Sequence, residues 1–169
     1  MPHIILIAHN LRSCHNIGSL LRTADGLGVK EVVLSGHTPY PIAEPDDRLP
    51  HIRLKLHNQI VKTALGAEKT VNWQHQVDII TYITTLKQKG YVVAALEQTH
   101  NSLHLPEFKP PEKLALIVGR EVEGIEAEVL SLADMCLEIP MLGKKESFNV
   151  VQAAAMALYH CTFWDDIVQ

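Results

Sequence analysis

Runs of strand length with few polar interruptions recur along this chain: HIILIA (His3 to Ala8), VKEVVL (Val29 to Leu34), YVVAAL (Tyr91 to Leu96) and LALIV (Leu114 to Val118). A strand with one face in water alternates apolar and polar side chains, whereas near-continuous apolar runs have to be covered on both faces. Between these runs lie segments of helical spacing. Ile17, Leu20, Leu21 and Ala24 form one such stripe ahead of Gly28, and VDIITYITTLKQK (Val77 to Lys89) forms another, closed by Gly90. The alternation predicts an α/β domain with a mostly parallel sheet flanked by helices and a right-handed first crossover. A ligand is then expected at the carboxyl ends of the strands, where Glu97, Gly119 and Pro140 lie.

The remaining segments give weaker expectations. Asn16 suits the N-cap of the first helix, whose second face carries Gly18, Ser19, Arg22 and Gly26. A cation flanked by such small residues admits a phosphate or another backbone close to Arg22, and an ordinary solvated arginine is the other reading. Gly36 to Leu56, with Pro39, Pro41, Pro45 and Pro50, reads as a long loop. Arg48, Arg53, Lys55 and Lys62 lie in or just after it, a cluster that suits either a nucleic-acid backbone or mere solubility. Gln59 to Ala67 is weakly helical, Val71 to Trp73 has the look of a short strand, and Leu105 to Glu112 reads as a linker.

Composition narrows the class. With 169 residues and neither a repeat nor a low-complexity tract, one domain over residues 1–169 is expected. A net charge of −4 argues against a protein that coats polyanions generally and leaves room for a local basic patch. Cys14, Cys136 and Cys161 are too few and too scattered for a disulfide framework or a CxxC metal site, and the histidines form no HxH or HExxH pair, so no metal is expected. No apolar run approaches the ~18 residues of a membrane span, and Met1-Pro2-His3 lacks a basic signal start, so the cytoplasm is expected. Gly119 to Gly124 (GREVEG) has the glycine spacing of a P-loop, but Ile125-Glu126 stands where Lys-Ser/Thr is required. Gly26 and Gly28 follow a helix instead of a strand, which excludes a dinucleotide-binding turn.

The densest stretch is Leu137 to His160, LEIPMLGKKESFNVVQAAAMALYH. A short apolar strand leads through Pro140 and Gly143 into a polar turn, then into a helix beginning near Phe148. Met141-Leu142 at one end and Lys144-Lys145-Glu146 at the other suit a ligand with an apolar face and a polar edge. The helix is apolar nearly all round, so it is expected inside the domain or against another subunit.

Three segments carry a family likeness. Asn16-x-Gly18-x-x-x-Arg22-Thr23, GREVEG from Gly119, and IPMLGKKESFNV from Ile139 resemble, in order and spacing, the three motifs of the SpoU/TrmH branch of the SPOUT RNA methyltransferases. The resemblance covers essentially the whole chain. It implies a C-terminal deep trefoil knot, a homodimer, and methyl transfer from S-adenosylmethionine to a ribose 2′-hydroxyl of RNA, with tRNA favoured over rRNA. It places the cofactor against Leu96, Gly119, Ile139, Leu142, Ser147 and Phe148. It assigns catalytic or site-shaping roles to Asn16, Arg22, Glu121, Ser147 and Asn149, with Arg22 reaching the partner subunit's cofactor. Phe148 departs from the leucine common in relatives. With no separate RNA-binding domain expected, RNA contact falls to the catalytic domain itself, with Arg12, Arg48, Arg53, Lys55, Lys144 and Lys145 as candidates. The alternative from another class is a non-catalytic dimer that binds RNA or senses S-adenosylmethionine.

Overall fold

The computed structural model describes residues 2–167. In chain order the elements are β1 (His3–His9), α1 (Cys14–Gly26), β2 (Glu31–Ser35), α2 (Pro50–Ala64), α3 (Ala67–Thr70), β3 (Trp73–Gln76), α4 (Ile79–Gln88), β4 (Val92–Leu96), β5 (Leu103–His104), β6 (Lys113–Val118), α5 (Ala127–Leu130), β7 (Met135–Glu138), α6 (Val150–Thr162) and α7 (Trp164–Ile167). The strands form one sheet in the order β3-β2-β1-β6-β4-β7-β5, with every pairing parallel. The apolar runs supply its centre. Leu6 lies opposite Leu116 on one side of the β1–β6 pair, and Ala94 lies opposite Leu116 on the other.

Because successive strand residues point to opposite faces, the same runs feed two cores. Ile4, Leu6 and Ala8 pack with α1, α2 and α6, while Ile5 and Ile7 pack with α4 and α5. No helix among the described residues is long and apolar enough to cross a membrane.

Gly18 explains how α1 and α2 lie so close. A Cβ at this position would collide with Ile60 O and Thr63 Oγ1 and stand 2.8 Å from Ala64 N. The small-residue face of α1 therefore receives another backbone, one of the two uses its composition allowed.

Several boundaries depart from the sequence expectations. Ser13, not Asn16, caps α1: its side chain accepts from Asn16 N–H, which leaves the Asn16 amide free for other work. The expected loop over residues 36–56 ends early, because α2 begins at Pro50. Proline suits a first helical position, but only Ile60 and Ala64 of α2 are buried, so no apolar stripe announced the helix. Leu65 (φ 51) and Gly66 (φ 102) then break the helical stretch expected over residues 59–67. β3 starts at Trp73 and lies at the sheet edge, and the expected linker follows the short β5 and opens with a 3-10 turn over Leu105–Glu107 that buries Leu105. Helix α6 begins at Val150, two residues after Phe148.

Polar groups enter the interior at the carboxyl end of β1. His9 is buried, its Nδ1 standing 2.8 Å from Ser35 Oγ and its Nε2 3.1 Å from Glu126 Oε2. Asn10, in the left-handed region at φ 55, donates through Nδ2 to Glu126 Oε1 at 2.8 Å and accepts from His37 N–H at 2.8 Å. Burial pushes the His9 imidazole below its ordinary value of 6.5; Glu126 pulls the other way, and Arg120 and His37 add to the downward push. Burial also lowers His75, which stacks on Tyr40, against the opposing bond to the Gly36 carbonyl.

Gly18→Ala should lower the free energy of unfolding by about 1–3 kcal/mol, read from the urea midpoint. Gly26→Ala, with nothing within 4 Å of the added methyl, should be neutral or slightly stabilising. The melting midpoint should also fall between about pH 7 and about pH 5. Both histidines have folded-state values below 6.5, so beneath that pH the unfolded chain takes up protons that the fold excludes. The fall should be smaller in His75→Gln; a midpoint that rises on acidification would contradict the assignment.

Candidate active site

A cleft of about 300 Å³ opens at the carboxyl ends of β4, β6 and β7. Its apolar wall comes from Leu96, Leu137, Ile139, Met141, Val150 and Ala153. Its charged lining is one-sided: Glu97, Glu121, Glu123, Glu138 and Glu146 face a single cation, Arg120. Leu96, Gly119, Ile139, Ser147 and Phe148, all expected at a binding site, line it. Leu142 does not. It is 99% exposed, and its neighbour Met141 takes the inward place because adjacent residues of an extended segment point opposite ways.

The loop after β6 is held by carboxylates. Arg120 N–H donates to Gly124 O at 3.3 Å and Gly124 N–H returns to Arg120 O at 3.1 Å, closing the turn. From the end of β4, Glu97 accepts from Ile125 N–H at 3.0 Å and from Gln98 N–H at 3.2 Å. A Cβ on Gly124 (φ 69) would strike Glu97 Oε2, so this glycine serves the turn and the carboxylate beside it instead of a phosphate. Arg120 pairs with Glu126 Oε1 at 3.0 Å, while its Nε is buried without an acceptor. Glu126 Oε2 is also buried without a hydrogen-bond partner among the described residues, although His9 Nε2 stands 3.1 Å from it. Burial alone would raise the Glu126 carboxyl, yet it is held below the ordinary value by backbone and Asn10 donors and by the charges of His9 and Arg120.

The expected polar residues divide into two places. Asn16 donates through Nδ2 to Glu121 Oε1 at 2.5 Å, tying the first motif to the rim of the cleft. Ser147 lies in the cleft lining, and Asn149 caps α6 by accepting from Val151 N–H at 2.9 Å. Arg22 is elsewhere. It lines a separate groove with Ser19, Thr23, Lys62, Thr63 and Leu65. The chain therefore brings Asn16, Glu121 and Ser147 to one cleft and leaves Arg22 outside it.

Of the candidate RNA-binding cations, Arg48 is committed to the fold. It donates to Asp46 at 2.6 and 2.8 Å and to the Tyr40 and Pro41 carbonyls at 2.9 Å, and it stacks 3.5 Å over the Tyr40 ring. The guanidinium holds the enclosed Asp46 carboxyl well below the usual carboxylate range. Arg12 is paired with Glu123 at 3.2 Å but exposed. Lys55, Lys144 and Lys145 are exposed and Arg53 is partly so.

Sequence reasoning passed over His9, Asn10, Arg120 and Glu126. Arg120 lies inside a motif already singled out, but Asn10 and Glu126 are 116 residues apart and nothing in a single sequence pairs them. No group of three or more His, Cys, Asp or Glu side chains among the described residues is placed to hold a metal ion.

Comparison with known proteins bears on the family and the fold. The family model described as SpoU rRNA Methylase matches residues 3–159. A 23S rRNA (guanosine-2'-O-)-methyltransferase RlmB from Ralstonia nicotianae is 28% identical over 159 residues, 94% of this chain and 57% of the relative. A tRNA (guanosine(18)-2'-O)-methyltransferase from Thermus thermophilus is 29% identical over 158 residues, 94% of this chain and 73% of the relative. Against several of these curated relatives the chain spans just over half of their length, between 51% and 58%. Among solved structures, the SpoU methyltransferase AviRb from Streptomyces viridochromogenes, in complex with the cofactor AdoMet, superposes with a TM-score of 0.79 at 21% identity, covering 97% of this chain and 58% of that one. A structure described as giving insights into the 2-OH methylation of C/U34 on tRNA superposes with a TM-score of 0.74 at 22% identity, covering 98% and 99%. With a family model matched over residues 3–159 and the same parallel fold, the chain belongs to the SpoU rRNA Methylase family.

Proposed function

We propose that this protein transfers a methyl group from S-adenosylmethionine to a ribose 2′-hydroxyl of RNA. The observation that carries the reading is the Asn16–Glu121 bond, which joins two motifs 105 residues apart at the mouth of a carboxylate-rimmed cleft. The lining fits the cofactor chemically. Leu96, Ile139 and Phe148 offer an apolar wall for a purine, and five carboxylates against one guanidinium suit a cationic sulfonium. Bound there, the cofactor supplies a methyl group on positively charged sulfur, a leaving group that needs no metal.

The chain's own residues then have to position and deprotonate. Asn16 fixes one Glu121 oxygen, and Oε2 of that carboxylate, without a partner among the described residues, is available to accept from a ribose hydroxyl. Ser147 offers a second polar contact at the lining, and Asn149 holds the start of α6 against the cleft. A guanidinium keeps its proton in proteins, so Arg22 acts by placing a substrate phosphate and not as a base. Alignment of the oxygen with the methyl group then supplies most of the acceleration.

Since one copy leaves Arg22 outside the cleft, we propose a homodimer in which Arg22 of one protomer serves its partner's cleft. The incompletely covered face of α6, where Val151, Ala155 and Met156 are half-buried and Tyr159 is 54% exposed, supports such an interface. The strand order supports the knotted C-terminal segment of a single catalytic domain, because β7 lies between β4 and β5, two strands that precede it in the chain. Between the RNA classes named for the relatives we favour tRNA: a neighbour matched over nearly all of both chains is described for C/U34 on tRNA.

The test is methyl transfer from labelled S-adenosylmethionine into tRNA and rRNA fractions from cells lacking the protein. Label should appear in tRNA as a 2′-O-methyl nucleoside. Arg22→Ala should lower the rate at least about 100-fold, while its calorimetric affinity for the cofactor stays within about twofold. Cofactor binding with no transfer to either fraction would replace this reading by the non-catalytic dimer.

A further inference from the structure

The groove that holds Arg22 contains a second cation that no motif singles out. Its lining comes from α1 (Ser19, Arg22, Thr23), from α2 (Lys62, Thr63) and from Leu65 at the end of α2, around a space of about 500 Å³. No carboxylate among the described residues lines it. Neither Arg22 nor Lys62 takes part in an ion pair among the described residues, although Arg12, Arg48, Lys87 and Arg120 each do. The nearest acids along the chain are occupied elsewhere: Asp25 accepts from Thr70 Oγ1 at 2.7 Å, and Glu68, largely buried, accepts from Gly66 N–H at 3.0 Å. Thr63 spends its hydroxyl on His15 O at 2.8 Å, which leaves the Ser19 and Thr23 hydroxyls without a side-chain bond among the described residues.

We infer that Lys62, together with Arg22, forms a subsite for one phosphodiester group of the RNA strand being methylated. This rests on the methyl-transfer reading above. Two cations left without counter-ions, beside two free hydroxyl donors and no acceptor carboxylate, are the donor set of a phosphate and not of a cation or an apolar ligand. The collision-close seat of α2 on Gly18 gives the pair its fixed relation, since the packing that orders α1 against α2 also sets Lys62 beside Arg22. Lys55, exposed on α2 seven residues earlier and so on the same helix face, lies about 10.5 Å back along the axis. Lys62 is a positioning residue. It takes no part in the bond changes at the ribose oxygen and acts by fixing the nucleotide whose phosphate Arg22 also meets.

The test compares wild type, Lys62→Ala, Lys62→Arg and, as a control for loss of one positive charge, Lys30→Ala, an exposed lysine that does not line the groove. Lys62→Ala should raise KM for RNA by about 3- to 10-fold with kcat changed less than about twofold, and should reduce the slope of log affinity against log salt by ~0.7–0.9. Lys62→Arg should recover most of the affinity, and Lys30→Ala should match wild type. Cofactor affinity and melting midpoint should be unchanged in Lys62→Ala, which separates positioning from folding. Direct RNA binding is measured alongside turnover. If no RNA is methylated but binding still depends on Lys62, the subsite stands and the catalytic reading falls; if methylation proceeds with KM and salt slope indifferent to Lys62, the subsite falls alone. Calorimetry with inorganic phosphate should give no heat beyond dilution, whereas saturable phosphate binding lost in Lys62→Ala would move the site to a free anion and overturn the RNA assignment.

Discussion

Coverage of the parallel sheet on both faces is the constraint from which the rest of this structure follows. β1, β6 and β4 carry apolar side chains toward α1, α2 and α6 on one side and toward α4 and α5 on the other, so the sheet interior has no room for chemistry. Polar work is pushed to the ends of the strands, where the backbone leaves the sheet and its hydrogen bonds must be met by loops. Asn10 meets that need beside β1 by accepting from His37 N–H, Thr38 by donating to Ala8 O, and Glu97 beside β4 by accepting from Ile125 N–H, while His9, Ser35 and Glu126 bond the side chains gathered there. These groups stabilise the loop after β6 in the one place where it can form a wall of the cleft.

Charge is then distributed in a way the net value of −4 conceals. The cleft gathers carboxylates around an apolar wall, while the α1–α2 groove holds cations without counter-ions. On the proposed reading, a cationic cofactor and an RNA strand are directed to different surfaces of one copy. Electrostatic separation of this kind costs little, because each set lies at the surface in high dielectric, and it prevents the two ligands from competing. It also means that chemistry requiring both sets has to bring together surfaces that a single copy holds apart.

Legibility followed burial and locality. The runs from His3, Tyr91 and Leu114 announced their strands because double coverage removes polar residues from the pattern. Helix α2 was hidden for the opposite reason: with Ile52 and Leu54 exposed, its apolar residues trace no single face. Edge strand β3, which reads WQHQ and is half-covered throughout, gave little to detect. In the site, Gly119, Ile139, Ser147 and Phe148 were legible as contiguous motif residues. Leu142 was misplaced because a motif fixes neighbours in sequence but not which of two adjacent side chains turns inward.

The sequence by itself determined the fold class, the sheet's central strands and the end of the sheet at which the cleft opens, since apolar periodicity and motif order are local properties that the chain carries unfolded. Only the tertiary structure decided that Asn16 meets Glu121, that Arg48 belongs to the fold, and that Arg22 shares a groove with Lys62. The first and last are contacts between elements, set by how helices seat on a twisted sheet and by a glycine that lets two helices touch, whereas the Arg48 contacts lie within one loop and depend on how it folds back on itself. Their partners are separated by up to 105 residues in the first case, a distance over which spacing carries no geometric information.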